Sequence, residues 1–426
     1  MGYRCRVGLA TTGSEAVTPA DIEEAAPTVA PHVIRTPILR SGELSRRFGG
    51  EVTLKAECLQ RTGSFKIRGA TNAIERLPDA ALKAGVCAAS AGNHAQAVAV
   101  AAARRGVRAE FFMPASAPLA KVGAVRAAGG VVRLVSGAYD DAGAAARAHS
   151  GATGMALIHA FDDPIVVAGQ GTIGLEIAAD RPATRLIVVP LGGGGLAAGI
   201  GIAAASKLAG VRIVGVQAEA CAPYPASLAA HRPIGARGRS TICDGIAVKQ
   251  PGELTLPLVA RYVDAIVTVS DDEVAEAMVL LLERSKLVVE GAGAVAVAAI
   301  LHRKVEPPAD GETCAVLSGG NVDAGRLVEC IRLGETAAGR RAVLVTVVPD
   351  RPGALAGLLR IVAEQGANVL DVAHIREGVD LHVRETAIRL VLQTDGPEHR
   401  DRILESIEGE GFHVAIERTA LPPSAR

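Results

Sequence analysis

Short apolar runs rich in β-branched residues alternate with alanine-rich helical patterns along most of the chain. The run 109–113 (AEFFM) precedes a helical pattern at 119–128, and another apolar run, 131–135 (VVRLV), follows it. This alternation predicts an α/β architecture in which parallel sheets are joined by crossover helices. We expect it from about residue 52 to residue 320, with ligands bound at the carboxyl ends of the strands.

The pattern changes after residue 333, where glycines and small or charged residues predict a linker over 334–341. Beyond it, the apolar periodicity predicts the ferredoxin-like βαββαβ arrangement. The expected strands are 342–348, 367–375, 386–393 and 412–416, and the expected helices are 352–365 and 398–407. The chain should therefore hold a first region, 1–333, and a separate C-terminal domain, 342–426.

Composition and charge narrow the class of ligand. The 45 basic and 45 acidic residues cancel, so nothing favours nucleic acid or an anionic membrane as a partner. The seven cysteines show no Cys-x-x-Cys spacing, which argues against a zinc site and fits a reducing cytoplasm. The most apolar run, 287–301, is too short to span a bilayer. A cytoplasmic protein with a small-molecule ligand is expected, without a metal, because the segment around Glu219 offers only one carboxylate.

The segment 60–70 (QRTGSFKIRGA) carries the most informative candidate chemistry. It places Lys66 beside Phe65, after a turn and at the start of a predicted helix. A lysine amine forms a Schiff base only after it loses a proton, and burial beside apolar groups favours that loss. Pyridoxal phosphate is the cofactor that uses such a lysine, although a solvated surface lysine would give the same local sequence.

Two further segments place small polar residues beside predicted strands or helices. The stretch 88–96 (AASAGNHAQ) offers Ser90, Asn93 and helix-start N–H groups to an anion, or else caps its own helix. Ser318 follows the strand pattern 313–317. Its hydroxyl could bond a ring nitrogen, or it could belong to an ordinary turn.

A fourth segment is rich in glycine. The glycines at 192–195 follow the buried-strand pattern 185–191 and precede a helical pattern, which lets the backbone approach a phosphate closely. Gly192, Gly194 and Ala197 also satisfy the dinucleotide-binding pattern, and Glu219 stands where a ribose-binding acid is expected. A nicotinamide cofactor is therefore a competing interpretation.

In their order along the chain (60–70, 88–96, 185–195 and 313–318), the four segments resemble the pyridoxal-phosphate enzymes of the tryptophan-synthase-β fold type (fold type II), and among them the threonine ammonia-lyases. The resemblance runs from near residue 17 to about residue 333 and includes 33–39, 161–164, 169–176, 244–249 and 286–290. Ala160 and Gly291 depart from the family, which usually has proline there, and both concern only local backbone. The resemblance implies a small subdomain, about 55–155, inserted into a larger one, with the cofactor between them.

The resemblance also implies a role for each candidate residue. Lys66 would hold pyridoxal 5'-phosphate and remove the α-proton of the substrate, with Phe65 beside the pyridine ring. Asn93 would bond the ring oxygen, and Ser318 would face the ring nitrogen. The cofactor phosphate would lie against Gly192, Gly193, Gly194, Gly195 and Leu196. The substrate carboxylate would lie against Ser90, Gly92, Asn93 and His94.

The C-terminal βαββαβ pattern resembles an ACT regulatory domain. Its amino-acid-binding residues would be Asp350, Arg351, Pro352, Gly353, Ala354 and Leu355, together with Asn368 and Val369. A proline that merely begins a helix would explain Pro352 but not the paired segment 366–369. Such domains usually bind ligands between copies, so the resemblance implies a homodimer or homotetramer, with isoleucine as the first candidate effector and valine as the second.

The implied activity is deamination of L-threonine to 2-oxobutanoate and ammonia, with L-serine giving pyruvate more weakly, under allosteric control. Isoleucine synthesis and threonine breakdown both remain open as the pathway. The alternatives are a serine dehydratase, a serine racemase and a non-catalytic amino-acid sensor. A racemase needs a second acid/base, which Ala91 cannot supply. His94 is equally compatible with a structural role, and Glu290 with an acid beside the cofactor or a helix-terminal charge. A dehydrogenase leaves Lys66 unexplained.

Overall fold

The computed structural model describes residues 3–4, 16–376 and 381–417. These residues form two compact units that divide between Asp323 and Ala324. Within the described part of the chain, no helix combines the length and the apolar character that crossing a membrane requires.

The first unit opens with a short edge region. Its elements are β1 (Tyr3–Arg4), α1 (Pro19–Val29), β2 (Ile38–Arg40), α2 (Gly42–Phe48) and β3 (Val52–Lys55). A second group follows, made of α3 (Lys66–Glu75), α4 (Asp79–Ala84), β4 (Val86–Ala89), α5 (Asn93–Arg105), β5 (Ala109–Pro114), α6 (Leu119–Ala127), β6 (Val131–Val135), α7 (Tyr139–Thr153) and β7 (Ala156–Leu157).

The chain then returns to the larger sheet. These elements are α8 (Pro164–Asp180), β8 (Thr184–Pro190), α9 (Gly195–Lys207), β9 (Arg212–Ala218), α10 (Tyr224–Ala230), α11 (Thr255–Tyr262), β10 (Ala265–Val269), α12 (Asp271–Leu280), α13 (Gly291–Leu301) and β11 (Glu312–Val316). Short 3-10 turns lie at Ala30–His32, Glu57–Leu59 and Asp244–Ile246, and a π-helical turn lies at Leu281–Ser285.

Among the described residues, the larger sheet has seven strands in the order β1-β10-β9-β8-β11-β3-β2. Its five central strands are parallel, and the edge strands β1 and β2 are antiparallel to their neighbours. The strand order reverses between β8 and β11, because the chain passes from β8 to β9 and β10 on one side and returns to β11 on the other. Such a switch point opens a crevice beyond the carboxyl ends of the strands.

The smaller sheet has the order β6-β5-β4-β7, and its pairings are parallel. Its core packs the buried faces of α3 and α5 on the strands, with Ile67, Ile74, Phe111 and Met113 fully buried. The prediction of parallel sheets with crossover helices is therefore confirmed.

Glycines allow the two long helices of the larger region to pack closely. A Cβ on Gly199 of α9 would lie 2.5 Å from the Val167 carbonyl oxygen of α8, and a Cβ on Gly174 would lie 2.9 Å from the Ile200 carbonyl oxygen. Backbone-to-backbone packing of this kind needs no large aromatic side chains, which suits a chain with 2% aromatic residues. A Cβ on Gly195, the first residue of α9, would lie 2.8 Å from the Phe161 carbonyl oxygen, so the start of α9 packs closely on the loop that follows β7.

The second unit contains α14 (Ala324–Ala337), β12 (Arg341–Pro349), α15 (Ala354–Glu364), β13 (Asn368–Ile375), β14 (Glu385–Gln393), α16 (Pro397–Gly409) and β15 (Val414–Ile416). Its antiparallel sheet has the order β13-β14-β12-β15, which confirms the predicted ferredoxin-like arrangement.

The linker predicted at 334–341 differs from the structure. Helix α14 continues through Gly334 to Ala337, and β12 begins at Arg341. A single glycine costs a helix only about 1 kcal/mol, and the residues after it, Glu335 to Ala337, tolerate helical geometry. The composition of this segment therefore does not interrupt the helix where the sequence predicts.

Candidate active site

The four candidate segments meet at one cavity of about 920 Å³ beside the switch point. Its lining includes Phe65, Lys66, Ser90, Gly92, Asn93, His94, Gly192, Gly193, Gly194, Gly195, Leu196 and Ser318. The volume suits a cofactor together with a small substrate, since ligand pockets are about 300–1,000 Å³. Residues far apart in the sequence are thus brought to one site by the parallel topology.

Lys66 is the first residue of α3, and its position is tied to the loop after β11. The Phe65 N–H donates to the Ser318 carbonyl oxygen at 3.0 Å. The Lys66 amine donates to the Ala160 carbonyl oxygen at 2.8 Å and lies 5.1 Å from the centre of the Phe65 ring. Burial lowers the pKa of Lys66 to about 8, against the opposing effect of Glu290. With this pKa, roughly a tenth of the amine is neutral and nucleophilic at pH 7, far more than for an ordinary lysine, and the fraction rises at higher pH.

The glycine loop forms a backbone cradle between β8 and α9. A Cβ on Gly193 would lie 2.2 Å from the Phe161 ring, and a Cβ on Gly194, whose φ is +97°, would lie 2.0 Å from the Tyr224 hydroxyl. Tyr224 and Thr255 both donate to the Gly193 carbonyl oxygen, at 3.2 and 2.7 Å. The first N–H groups of α9 have no partner within their helix, so they and the positive end of the helix dipole suit an anion such as a phosphate.

Helix α5 begins at the cavity with Asn93 and His94. Ser90 Oγ accepts the Gly92 N–H at 3.1 Å. His94 Nε2 lies 2.8 Å from the Ile158 carbonyl oxygen, which can only accept, so Nε2 carries the proton. Burial, reinforced by Lys66, lowers the pKa of His94 to about 3. The ring is therefore neutral and its Nδ1 cannot donate to a carboxylate, which favours the structural role for this side chain.

Several groups that shape the site carry no signal in the sequence analysis. The Ala160 carbonyl accepts from Lys66, and any residue type can supply such a carbonyl. Asp162 accepts the N–H groups of residues 253–255 at 3.1 Å each, which fixes the start of α11 beside the glycine loop. Tyr224 is fully buried, but the sequence does not distinguish it from the other tyrosines of the chain.

The two parts of the predicted effector site lie apart within one copy of the second unit. Asn368 pairs with Gln393, which also pairs with Arg341 at the start of β12. Residues 350–355 follow the other end of β12, and Asp350 forms an ion pair with Arg376 at 2.6 Å. Asn368 and Val369 are therefore separated from the loop by the length of β12, about 26 Å at about 3.3 Å per residue.

Comparisons with known proteins agree with this architecture. Residues 29–319 match the family described as pyridoxal-phosphate dependent enzyme, and residues 342–409 match the ACT domain. The L-threonine ammonia-lyase of Thermotoga maritima is 46% identical over 401 residues, 94% of this chain and 99% of the relative.

Solved structures of similar proteins have the same fold in the first unit. Maize serine racemase has a TM-score of 0.71 and 34% identity, covering 74% of this chain and 96% of that chain. Threonine deaminase isoform 2 from Solanum lycopersicum has a TM-score of 0.70 and 34% identity, covering 74% and 87%.

The matched fold and the lysine-and-glycine site define the class, an enzyme that depends on pyridoxal phosphate. Within that class, the chain belongs to the threonine ammonia-lyase family of carbon–nitrogen lyases, and its C-terminal unit is an ACT domain. The resemblance found in the sequence is thereby confirmed.

The residues present fit this cofactor. The loop at 192–195 is a cradle that side chains would fill, and phosphate binds to such glycine-rich helix starts. Lys66 offers an amine of lowered pKa to the aldehyde, and Phe65 offers an apolar face to the ring. Ser318 is buried, and its hydroxyl donates weakly to the Ala292 carbonyl oxygen at 3.4 Å, which leaves it able to accept or donate at a ring nitrogen.

Proposed function

We propose that this protein deaminates L-threonine to 2-oxobutanoate and ammonia, and L-serine to pyruvate more slowly, with Lys66 as the general base. The observation that carries the proposal is the Lys66 amine, with a pKa near 8, in the same cavity as a glycine cradle and the start of α5. The relatives named for threonine deamination support the choice of substrate.

Each part of the cavity takes one task in this proposal. Bound pyridoxal phosphate supplies an electron sink for the charge left when the α-proton departs. Lys66 takes that proton, a contribution of about 10²–10⁴ to the rate for a well-placed base. The N–H groups from Gly193 to Leu196 hold the phosphate. The backbone N–H groups of Asn93 and His94, with the Ser90 hydroxyl, hold the substrate carboxylate, and the Gly92 N–H orients Ser90 Oγ.

Serine racemisation is the second candidate, because maize serine racemase is among the similar structures. Racemisation needs a second acid/base on the opposite face of the substrate. Ala91 lines the cavity, at the position where the family resemblance implies a serine in racemases. We therefore expect pyruvate to form from L-serine faster than D-serine, and chiral chromatography measures both. Faster D-serine formation would contradict the proposal.

The cofactor assignment is tested by borohydride reduction of the purified protein. Reduction should fix a pyridoxyl group on the peptide that contains Lys66, and Lys66→Ala should lose both the adduct and oxo-acid formation. Lys249→Ala is the matched control, since Lys249 also lines the cavity and its removal should leave the adduct in place. An adduct on another lysine would refute the role of Lys66.

We further propose that the second unit regulates the first by binding isoleucine or valine. Within one copy, residues 350–355 lie at the opposite end of β12 from Asn368 and Val369. A site built from both parts therefore needs two copies, which supports a homodimer or homotetramer. The coupling between sites should be about 1–3 kcal/mol, or 5–150-fold in affinity. Light scattering checks the oligomer, and oxo-acid assays with each amino acid check the effector.

Gly353 offers a sharp test of the regulatory loop in the full-length protein. Its φ is +89° and its surroundings are open, so Gly353→Asp adds backbone strain and a charge at the loop. We expect this variant to blunt the effector response and to keep the basal rate. Gly353→Ala isolates the strain, and Gly409→Asp adds the same charge in open space elsewhere in the unit. An unchanged dose-response in Gly353→Asp would place the effector elsewhere.

A further inference from the structure

A chain of hydrogen bonds fixes the orientation of the Asn93 carboxamide. Asn321 Nδ2 lies 2.8 Å from the Thr62 carbonyl oxygen, which can only accept, so Nδ2 is the donor. The same atom donates to Asn93 Oδ1 at 2.8 Å. The oxygen of Asn93 therefore faces Asn321, and its NH₂ group faces Glu290 Oε1 at 2.7 Å.

Glu290 is placed beside Asn93 by the loop that follows β11. It precedes α13, yet its side chain makes no capping bond to that helix. Its N–H donates to the Gly319 carbonyl oxygen at 3.0 Å, and a Cβ on Gly319 would lie 2.2 Å from Glu290 Oε1. Glu290 is 7% exposed and lines the cavity. The local backbone thus leaves room for this carboxylate and turns it away from its own helix.

We propose that Glu290 is a positioning residue: its carboxylate accepts one N–H of Asn93 and so keeps the second N–H available to the cofactor. An amide NH₂ has two hydrogens, and Asn93 itself lines the cavity. The inference rests on the proposed role of Asn93 at the cofactor. Glu290 acts through Asn93 and needs no contact with the substrate.

The ionisation of Glu290 should control the strength of this bond, because a carboxylate accepts more strongly than a neutral carboxyl. Burial, followed by the charge of Asp244, raises the pKa of Glu290 to about 7. The Asn93 donor, Lys121 and Lys66 oppose that rise, and the thiols of Cys58 and Cys243 are also close enough to sense the charge. Lys121 and Asp244 form an ion pair with each other at 2.6 Å.

The test is a titration of the apoprotein with pyridoxal 5'-phosphate, followed by absorbance between about pH 6 and pH 8.5. Glu290→Gln keeps an acceptor for Asn93 but cannot ionise, so it imitates the protonated wild-type residue. At high pH, the variant should bind the cofactor about three- to tenfold more weakly, the effect of weakening one hydrogen bond. At low pH, the ratio of the two dissociation constants should approach one. The change in this ratio with pH should have its midpoint near pH 7, the pKa of Glu290.

Glu253→Gln is the matched control, since Glu253 also lines the cavity without any part in the Asn93 network. Its ratio to wild type should not change with pH. Two further variants leave Glu290 in place and remain informative if Glu290→Gln fails to fold. Asp244→Asn should move the midpoint to lower pH, and Lys121→Met should move it to higher pH, because their charges act on Glu290 with opposite signs.

A ratio for Glu290→Gln that stays flat with pH would overturn the inference, as would midpoint shifts of the same sign in Asp244→Asn and Lys121→Met. Failure of the proposed function looks different. In that case borohydride fixes no adduct on Lys66, and wild-type protein shows no saturable cofactor binding. A normal adduct together with a flat ratio would reject only the role of Glu290.

Discussion

Replacing Arg68 by methionine should be among the most destabilising single changes in the first unit. The Arg68 guanidinium is fully buried two residues after Lys66. It donates to both oxygens of Glu57, at 2.9 and 2.8 Å, and to both oxygens of Glu176, at 2.7 and 3.0 Å. Lys55, also fully buried, adds a contact to Glu176 at 2.6 Å. The two cations and two carboxylates of this cluster cancel.

Arg68→Met leaves Glu57 buried without its cation and gives the cluster a net negative charge. Breaking a buried ion pair by removing one partner costs about 3–5 kcal/mol, because the remaining charge has lost its compensation. The matched control is Arg46→Met, whose side chain is 72% exposed in an ion pair with Glu43. That change should cost about 0–1 kcal/mol.

Urea titration followed by circular dichroism measures the free energy of unfolding of both variants and of wild type. The loss should also depend on pH. Burial raises the pKa of Glu57, but the opposing effects, of which that of Arg68 is the largest, together outweigh it, so the pKa in the folded protein lies below its usual value. The wild-type contribution of Glu57 is therefore present above the unfolded pKa and lost as pH falls through the folded pKa. In Arg68→Met, burial raises the pKa of Glu57 without the opposing effect of Arg68, so Glu57 takes up a proton in mild acid. The difference in the free energy of unfolding between wild type and variant should therefore become smaller as the pH falls. A loss below about 1 kcal/mol at neutral pH would refute the argument.

Two other predictions concern the site itself. Gly194→Ala should weaken cofactor binding at least tenfold, because the new Cβ would collide with the Tyr224 hydroxyl and the backbone φ is positive. The control is Gly210→Ala, which has a positive φ but open space around the new Cβ, so it should lower only the stability of the fold, by about 1–2 kcal/mol. Equal cofactor affinity in the two variants would contradict this prediction. His94→Gln should flatten the pH dependence of stability between about pH 6.5 and pH 4. The folded pKa of His94 is about 3, so the unfolded chain takes up the proton first and wild-type stability falls with falling pH, by about 2 kcal/mol at pH 5. Urea titrations at several pH values measure the slope, and an unchanged slope would mean that His94 is not neutral in the fold.

The sequence predicts the fold well, and it singles out Lys66, which lines the cavity, because both predictions depend on side-chain patterns. Alternating apolar runs determine the parallel sheets, and glycines mark the loop where backbone must approach a ligand. The Ala160 carbonyl leaves no such mark, because every residue has one. Glu290 is ambiguous in sequence, since its direction depends on hydrogen bonds to Gly319 and Asn93, residues distant along the chain.

The same limit applies to the second unit. The periodicity predicts its strands and helices, but one glycine at 334 is too weak a signal to end α14. The grouping of Asn368 with residues 350–355 follows a family resemblance. The register of β12, β14 and β13 places Asn368 far from residues 350–355 within one copy. Only the observed strand pairing reveals this separation.

The reversal of strand order between β8 and β11 also has a consequence for biosynthesis. Strand β11 is inserted between β3 and β8, so the central sheet cannot close until residues 312–318 have left the ribosome. A nascent chain that ends earlier already carries Lys66, the glycine loop and Asn93, yet it lacks the strand that aligns them. Domains generally fold as units during synthesis, and pairings this distant in sequence form slowly. The cofactor therefore meets a complete cavity only once the chain has been translated beyond residue 318.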